Sequence, residues 1–284
     1  MHKVKSISLI VLMMVVGGRL SAQDQTPGSV KVSGTPSEEQ LAIPLSEPGK
    51  PFTLEAKLFF GAITIIGYDG KDVLVDVHTY KDIERSGDDE SGGMKRIGGG
   101  ALNFSAEEHN NAVTIHAPRS QRLKEIVIRV PQGSTKIKVG TVEEGDIEVK
   151  DVSGEIEIGN VNGSIHATGI SGSVVANTVN GEIVVKFKSV DPKATMAFTS
   201  LNGKVDVLFP ADIKANVKLK SDRGEMFSDF DIAVDKNQPK VEKNTEDHYY
   251  SVKIEDWVYG KINGGGPEMM MKTMQGSIYI RKAK

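Results

Sequence analysis

Glycine falls at positions 145, 154, 163, 172 and 181, nine residues apart four times running, and each heads a similar phrase: GDIEV, GEIEI, GSIHA, GSVVA, GEIVV. The phrase returns at Gly203 (GKVDV) and Gly276 (GSIYI) and less closely at Gly224 (GEMFS), with an earlier likeness at Gly61 (GAITI). Self-similarity at a short fixed period is the signature of a solenoid or array, in which each unit buries its apolar face only against its neighbours. Two residues before the glycine the position is again apolar, as at Val152, Val161, Ile170, Val179, Leu201 and Met274, with a small or amide residue between.

An up-and-down meander competes with a solenoid for this pattern, because Asn-Gly suits a two-residue hairpin. With Ser153-Gly154 as such a turn, cross-strand pairing would place Asp151 on the face of Ile147, Val149, Ile156 and Ile158 and would expose Val152. Repeated at Val161, Ile170 and Val179, that arrangement wastes one apolar residue in every unit. A solenoid that bends near Lys150-Asp151 as well as at Ser153-Gly154 lets Ile147, Val149 and Val152 all point inward. The fold expected is therefore all-β, a single-stranded β-helix (β-solenoid) on a nine-residue Gly-headed repeat, with about 18–22 residues per coil. Around ten coils at the usual strand spacing would give a rod of roughly 50 Å. The corners are Gly61, Gly145, Gly154, Gly163, Gly172, Gly181, Gly203, Gly224 and Gly276. No aspartate recurs after the glycines, so this is not the calcium-binding GGxGxD nonapeptide.

Residues 1–22 read as an export signal: Lys3 and Lys5, an apolar run from Ile7 to Val16, and the small-residue exit Leu20-Ser21-Ala22, with cleavage expected between Ala22 and Gln23. The run is too short to cross a bilayer as a mature helix, which takes about 20 residues, so no transmembrane helix is expected in the mature chain. No Cys follows the cleavage site, which excludes a lipid anchor there; with no Cys anywhere, disulfides and thiolate sites are excluded too. Residues 23–51 carry Pro27, Pro36, Pro44, Pro48 and Pro51 among Ser, Gly and Glu and are expected to be a loose N-terminal arm. From Phe52 to the end, strand alternation indicates one solenoid domain, 52–284, interrupted by polar loops at 86–100 and 233–250. The chain has 35 Lys plus Arg against 38 Asp plus Glu, and neither sign dominates, so nothing suggests a nucleic-acid binder.

The run GAITIIGYDGKDVLV from Gly61, the VxGxIxV phrases of residues 142–185, and the closing NGGGP from Asn263 through GSIYI at Gly276 together resemble the bacterial putative-adhesin family of β-strand-repeat proteins. The likeness spans about Phe52 to Lys282. It implies a β-helix, an exported location in the periplasm or at the cell surface, and no assigned enzymatic activity, and it transfers no binding residues. Gly224 departs from the pattern, with Asp222 at the usually apolar position and Ser228 where an inward aliphatic belongs, so a distorted coil is expected there.

The sequence is poor in recognisable chemistry. His78, His109, His116, His166 and His248 lack metal-ligand spacing, although His109 and His116 could meet on neighbouring strands near Glu107 and Glu108. The outward acids Asp146, Glu148, Glu155, Glu157, Glu182 and Asp206 are spread over several rungs, whereas glycan cleavage needs two carboxyl groups at a set separation. Met269, Met270, Met271 and Met274 read as core filler. Tyr249, Tyr250, Trp257, Tyr259 and Tyr279 are candidate ligand-facing aromatics if they share a row; otherwise they cap the last coil. The function expected is an exported, non-enzymatic adhesin or scaffold without a cofactor, binding an envelope glycan or protein. The alternative is a polysaccharide lyase or hydrolase on the same fold.

Overall fold

The structure is a computed structural model that describes residues 39–79, 103–235, 240–246, 249–255 and 257–284. The signal, most of the arm and the loop 86–100 lie outside the described residues. Everything described is strand or turn, with no helix. Twenty strands join in one continuous sheet that wraps a single apolar core as two faces, a β-solenoid-like architecture.

The first face runs, in spatial order, through β5 (Ser105–His109), β6 (Ala112–His116), β2 (Phe52–Lys57), β8 (Ser134–Thr141), β10 (Ser153–Asn160), the second half of β11 (Ile165–Asn180), β13 (Met196–Asn202), β21 (Glu268–Gln275), β15 (Ala215–Ser221), β20 (Val258–Ile262) and β17 (Ile232–Val234). The second face runs through β1 (Glu39–Pro44), β4 (Asp72–Thr79), β7 (Leu123–Pro131), β3 (Ala62–Tyr68), β9 (Ile147–Lys150), the first part of β11, β12 (Ile183–Val190), β14 (Val205–Phe209), β22 (Ile278–Lys282) and β16 (Met226–Ser228). A separate antiparallel pair, β18 (Lys240–Glu246) and β19 (Tyr249–Glu255), occupies much of the stretch 233–250 expected to be loop. Eight rungs on each face are parallel, fewer than the ten coils expected, because the outermost strands are antiparallel at both ends of the first face and at the β1–β4 end of the second.

Parallel register stacks like on like. Ile63, Ile147, Ile165, Ile183, Val205 and Ile278 form one inward column, and Ile65, Val149, Ala167, Val185, Val207 and Ile280 form the next. β-Branched side chains suit a pleated, buried surface, so each column rewards the same residue type on every coil. Equivalent positions on neighbouring coils are 18 residues apart at Asn162 and Asn180, and 22 apart at Asn180 and Asn202.

One corner is a glycine column in the spatial order Gly61, Gly145, Gly163, Gly181, Gly203, Gly276, Gly224. From Gly145 onward, a methyl group built on any of them would overlap the backbone of the preceding glycine at under 3.0 Å. Each carbonyl in the column up to Gly276 is capped from the next coil. Thr141 Oγ1 donates to Gly61 O (2.9 Å), Asn160 Nδ2 to Gly145 O (3.0 Å) and Thr178 Oγ1 to Gly163 O (2.9 Å). Ser200 Oγ donates to Gly181 O (2.9 Å), Thr273 Oγ1 to Gly203 O (2.8 Å) and Ser221 Oγ to Gly276 O (2.8 Å). Thr141, Asn160, Thr178, Ser200 and Thr273 are all buried. Gly224 keeps its place in the column although its coil, β16, is exposed throughout.

The inward polar row corrects an expectation. Val152 and Ile170 are buried, but Val179, Leu201 and Met274 are turned outward and Val161 is only half-buried. The difference lies one residue upstream. Asp151 (φ 55) and Gly169 (φ 71) adopt left-handed conformations that bend the chain and reset the alternation, whereas Thr178, Ser200 and Thr273 continue the strand and take the inward position themselves. The next side chain must then face solvent.

The N-terminal arm also needs correction at its end. Glu39–Pro44 is strand β1, antiparallel to β4, because Ile43 and Leu45 bury against the core while Pro44 sits on an edge strand, where a missing N–H is tolerated.

Spatial and sequence order differ at both ends. The coil β2–β3 lies between β6–β7, which follow it in sequence, and β8–β9. The last coil, β21–β22, is likewise inserted between β13–β14 and β15–β16. The C-terminal strands are thus flanked on both edges, and hydrogen exchange should place amides of residues 268–282 in the slowest class with the central coils; exchange faster than in β1 or β17 would contradict this register. In thermal melts, Ile156→Asp, which buries an unpaired charge, should cost about 3 kcal/mol or more, and Glu155→Ser should be nearly silent. Equal effects would reverse the inward face.

Candidate binding surface

The acids of the outward rows are dispersed and individually partnered. On the first face Glu155 lies 3.4 Å from Lys136 and Glu157 lies 2.7 Å from Lys138. On the second, Glu148 pairs with Lys150, Asp146 accepts from Ser164 N (2.7 Å), and Asp206 accepts two bonds from Arg281 (2.6 and 3.0 Å). Glu182 is held by His166 Nε2 (2.9 Å) and Lys204 Nζ (3.1 Å). The His166 hydrogen bond, helped by Lys204 and opposed by partial burial, keeps the Glu182 carboxyl below the ordinary carboxylate value. Its stabilisation is therefore complete above the unfolded carboxylate pKa and is lost as pH falls from there through the lowered folded value. Glu182→Gln should lower the melting temperature at neutral pH and flatten the acid limb between about pH 3 and 5. Parallel melting curves for variant and wild type across that range would contradict this.

The aromatic candidates do not form one row. Trp257 and Tyr259 lie at β20, beyond the first face's last parallel rung, with Lys218 Nζ 4.7 Å from the Trp257 ring centre and 5.8 Å from that of Tyr259. Tyr279 is on the second face, stacked on Phe227 at 5.2 Å with the Arg281 guanidinium 5.2 Å from its ring centre. Tyr249 and Tyr250 lie on β19, and their side chains fall outside what the structure describes. His109 and His116 stand at opposite ends of the β5–β6 hairpin, and His248 is outside the described residues. Among the described residues no group of three or more His, Asp or Glu is placed to hold a metal ion. Met269 and Met271 are core residues, as expected, while Met274 is exposed.

A feature absent from the expectations is a groove of about 510 Å³ on the first face. Its floor is an outward row that reads His116, Lys57, Gly140, Gly159, Asn177 on five successive strands. The two glycines leave a gap where side chains would stand, two rungs or about 9–10 Å wide. Lys138 and Glu157, paired at 2.7 Å, form one rim, and Phe59, Val142 and Val161 form the other. At the mouth the Arg119 guanidinium lies 4.9 Å from the Phe59 ring centre; beside it Arg122 lies 4.6 Å from that of Phe60 and bonds Glu144 at 3.1 Å. The signal for this groove in the sequence is slight: a glycine closing the strand phrases IKVG and IEIG, where alternation calls for an outward side chain.

At the opposite end of β6 from the groove, Glu108 ties the segment after β1 to the β5–β6 turn, accepting from Ser46 N (3.1 Å), Ser46 Oγ (2.9 Å) and Asn111 N (2.8 Å). Asn110 (φ 52) and Asn111 (φ 62) make this a turn with two left-handed residues, a conformation Asn tolerates.

No helix among the described residues is long and apolar enough to cross a membrane. No curated protein matches the chain. A solved structure described as a putative cell adhesion protein from Clostridium sporogenes is similar at 11% identity and a TM-score of 0.44, covering 88% of this chain and all of that one. Residues 143–256 match the family model of Toastrack DUF4097, a domain of unknown function, which bears out the family resemblance carried by the Gly-headed phrases of that region.

Proposed function

We propose that this chain is an exported, non-enzymatic, adhesin-like protein of the bacterial envelope, which binds or scaffolds an envelope glycan or protein through the outer faces of a β-solenoid. The single observation that carries the reading is the outward charge pattern. Each of the six acids has its own cation or backbone donor. A side chain so partnered serves as solvated surface or ligand contact. The expected signal at 1–22 supports export to the periplasm or cell surface, and nothing in the proposed role needs a cofactor. Within this reading the architecture is a single-stranded β-helix whose unit is the nine-residue Gly-headed phrase, two units per coil; the 18-residue spacing of Asn162 and Asn180 supports it.

The mature chain, produced from Gln23, is to be tested against a panel of envelope glycans and envelope proteins. Saturable binding to at least one member is expected, with no turnover product from any glycan. Saturable binding to none would overturn the binding role, and a product would overturn the non-enzymatic one.

A further inference from the structure

Glycines in this chain divide into two kinds. At Gly163, Gly181, Gly203, Gly276 and Gly224 the neighbouring coil's backbone leaves no room for a methyl group, so the fold demands glycine. Gly159 is different. A Cβ there would meet nothing nearer than the Asn177 side chain at 3.5 Å, an ordinary contact, and its φ is not left-handed. At Gly140, one rung away, a Cβ would crowd the backbone oxygen of Gly159 at 3.2 Å, so of the two it is Gly159 that packing does not require. Both lie inside or at the end of regular strands, where glycine costs about 0.5–1 kcal/mol relative to alanine. A strand glycine that packing does not require marks a place where something else approaches the backbone.

The rims state what that is. The pairs Lys57–Glu55 (2.5 Å) and Lys138–Glu157 (2.7 Å) cancel internally. Arg119 remains, held over the Phe59 ring and without a carboxylate partner among the described residues. The gap is about one sugar ring wide, has an aromatic and aliphatic wall opposite a charged one, ends on the Asn177 amide, and carries one surplus positive charge.

We infer that the groove floored by Gly140 and Gly159 is a subsite for a single acidic sugar of a uronic-acid polysaccharide, its carboxylate set against Arg119 and its ring lying on the two glycines. This rests on the binding role proposed above and names its ligand class. Guanidinium matches carboxylate through paired N–H donors, which an ammonium cannot do, so Arg119 rather than Lys57 sets the preference for acid.

The test measures calorimetric affinity of the mature chain for oligogalacturonate and for a neutral maltooligosaccharide of equal length. Three chains are compared: wild type, Gly159→Leu and Arg119→Gln. Gly159→Leu fills the gap yet should melt no lower than wild type. Expected are saturable, salt-weakened binding of oligogalacturonate, at least tenfold loss in Gly159→Leu, and loss of the preference over the neutral glycan in Arg119→Gln. Equal affinity for the two glycans in wild type, or unchanged binding by Gly159→Leu, would overturn the subsite. Failure to bind oligogalacturonate alongside saturable binding of another envelope glycan or protein would overturn the subsite and leave the wider role standing, whereas binding of nothing would overturn both.

Discussion

Backbone meets backbone at one corner of this solenoid, and the rest of the structure depends on that approach. Seven glycines stack there with no room for a methyl group between successive coils. Five buried side chains, with Ser221 at the end of the row, donate to the carbonyls so brought together. A buried carbonyl left unpaired costs about 1–3 kcal/mol, so the close approach and its hydroxyl or amide cap stand together. With the corner fixed, the register of both faces follows, and the aliphatic columns fall on one another without a disulfide.

That corner is indifferent to the order in which the chain supplies its coils. Gly61 stacks beside Gly145, and Gly276 lies between Gly203 and Gly224. Each unit carries the same glycine and a donor for the next carbonyl, so the first and last coils can be inserted between others and the ends are held as the centre is. Exposed terminal strands, the usual weakness of a stack of repeats, are here β5, β1 and β17, which are antiparallel, and the short parallel strand β16.

Much of this was legible in the sequence, for a physical reason. The glycine spacing exposed the period because no other residue fits the corner, and Ile147, Ile165 and Ile183 exposed the columns because parallel register demands like residues. The polar caps were not legible. Thr178, Ser200 and Thr273 look like ordinary strand polar residues, and only the alternation after them shows that Val179, Leu201 and Met274 must turn out. The interleaved ends were hidden as well, since local phrases say which corner a glycine occupies but not which coil lies beside it. The groove was the faintest: two glycines beyond the expected period, with Phe59 and Arg119 brought to them from elsewhere in the chain.

The outward rows and the inward lattice make separate demands on the sequence, which is why a binding surface can vary while the scaffold stays fixed. The glycine column sets coil spacing, so replacing one of its members should cost stability. At an unconstrained site Gly→Ala stabilises by about 0.4–1 kcal/mol through the unfolded chain. Gly163→Ala and Gly181→Ala, followed by denaturant unfolding, should instead each lose about 1–3 kcal/mol, the cost of forcing extra volume into a packed site. Unchanged or raised stability in both would contradict the column as the element that holds the coils together.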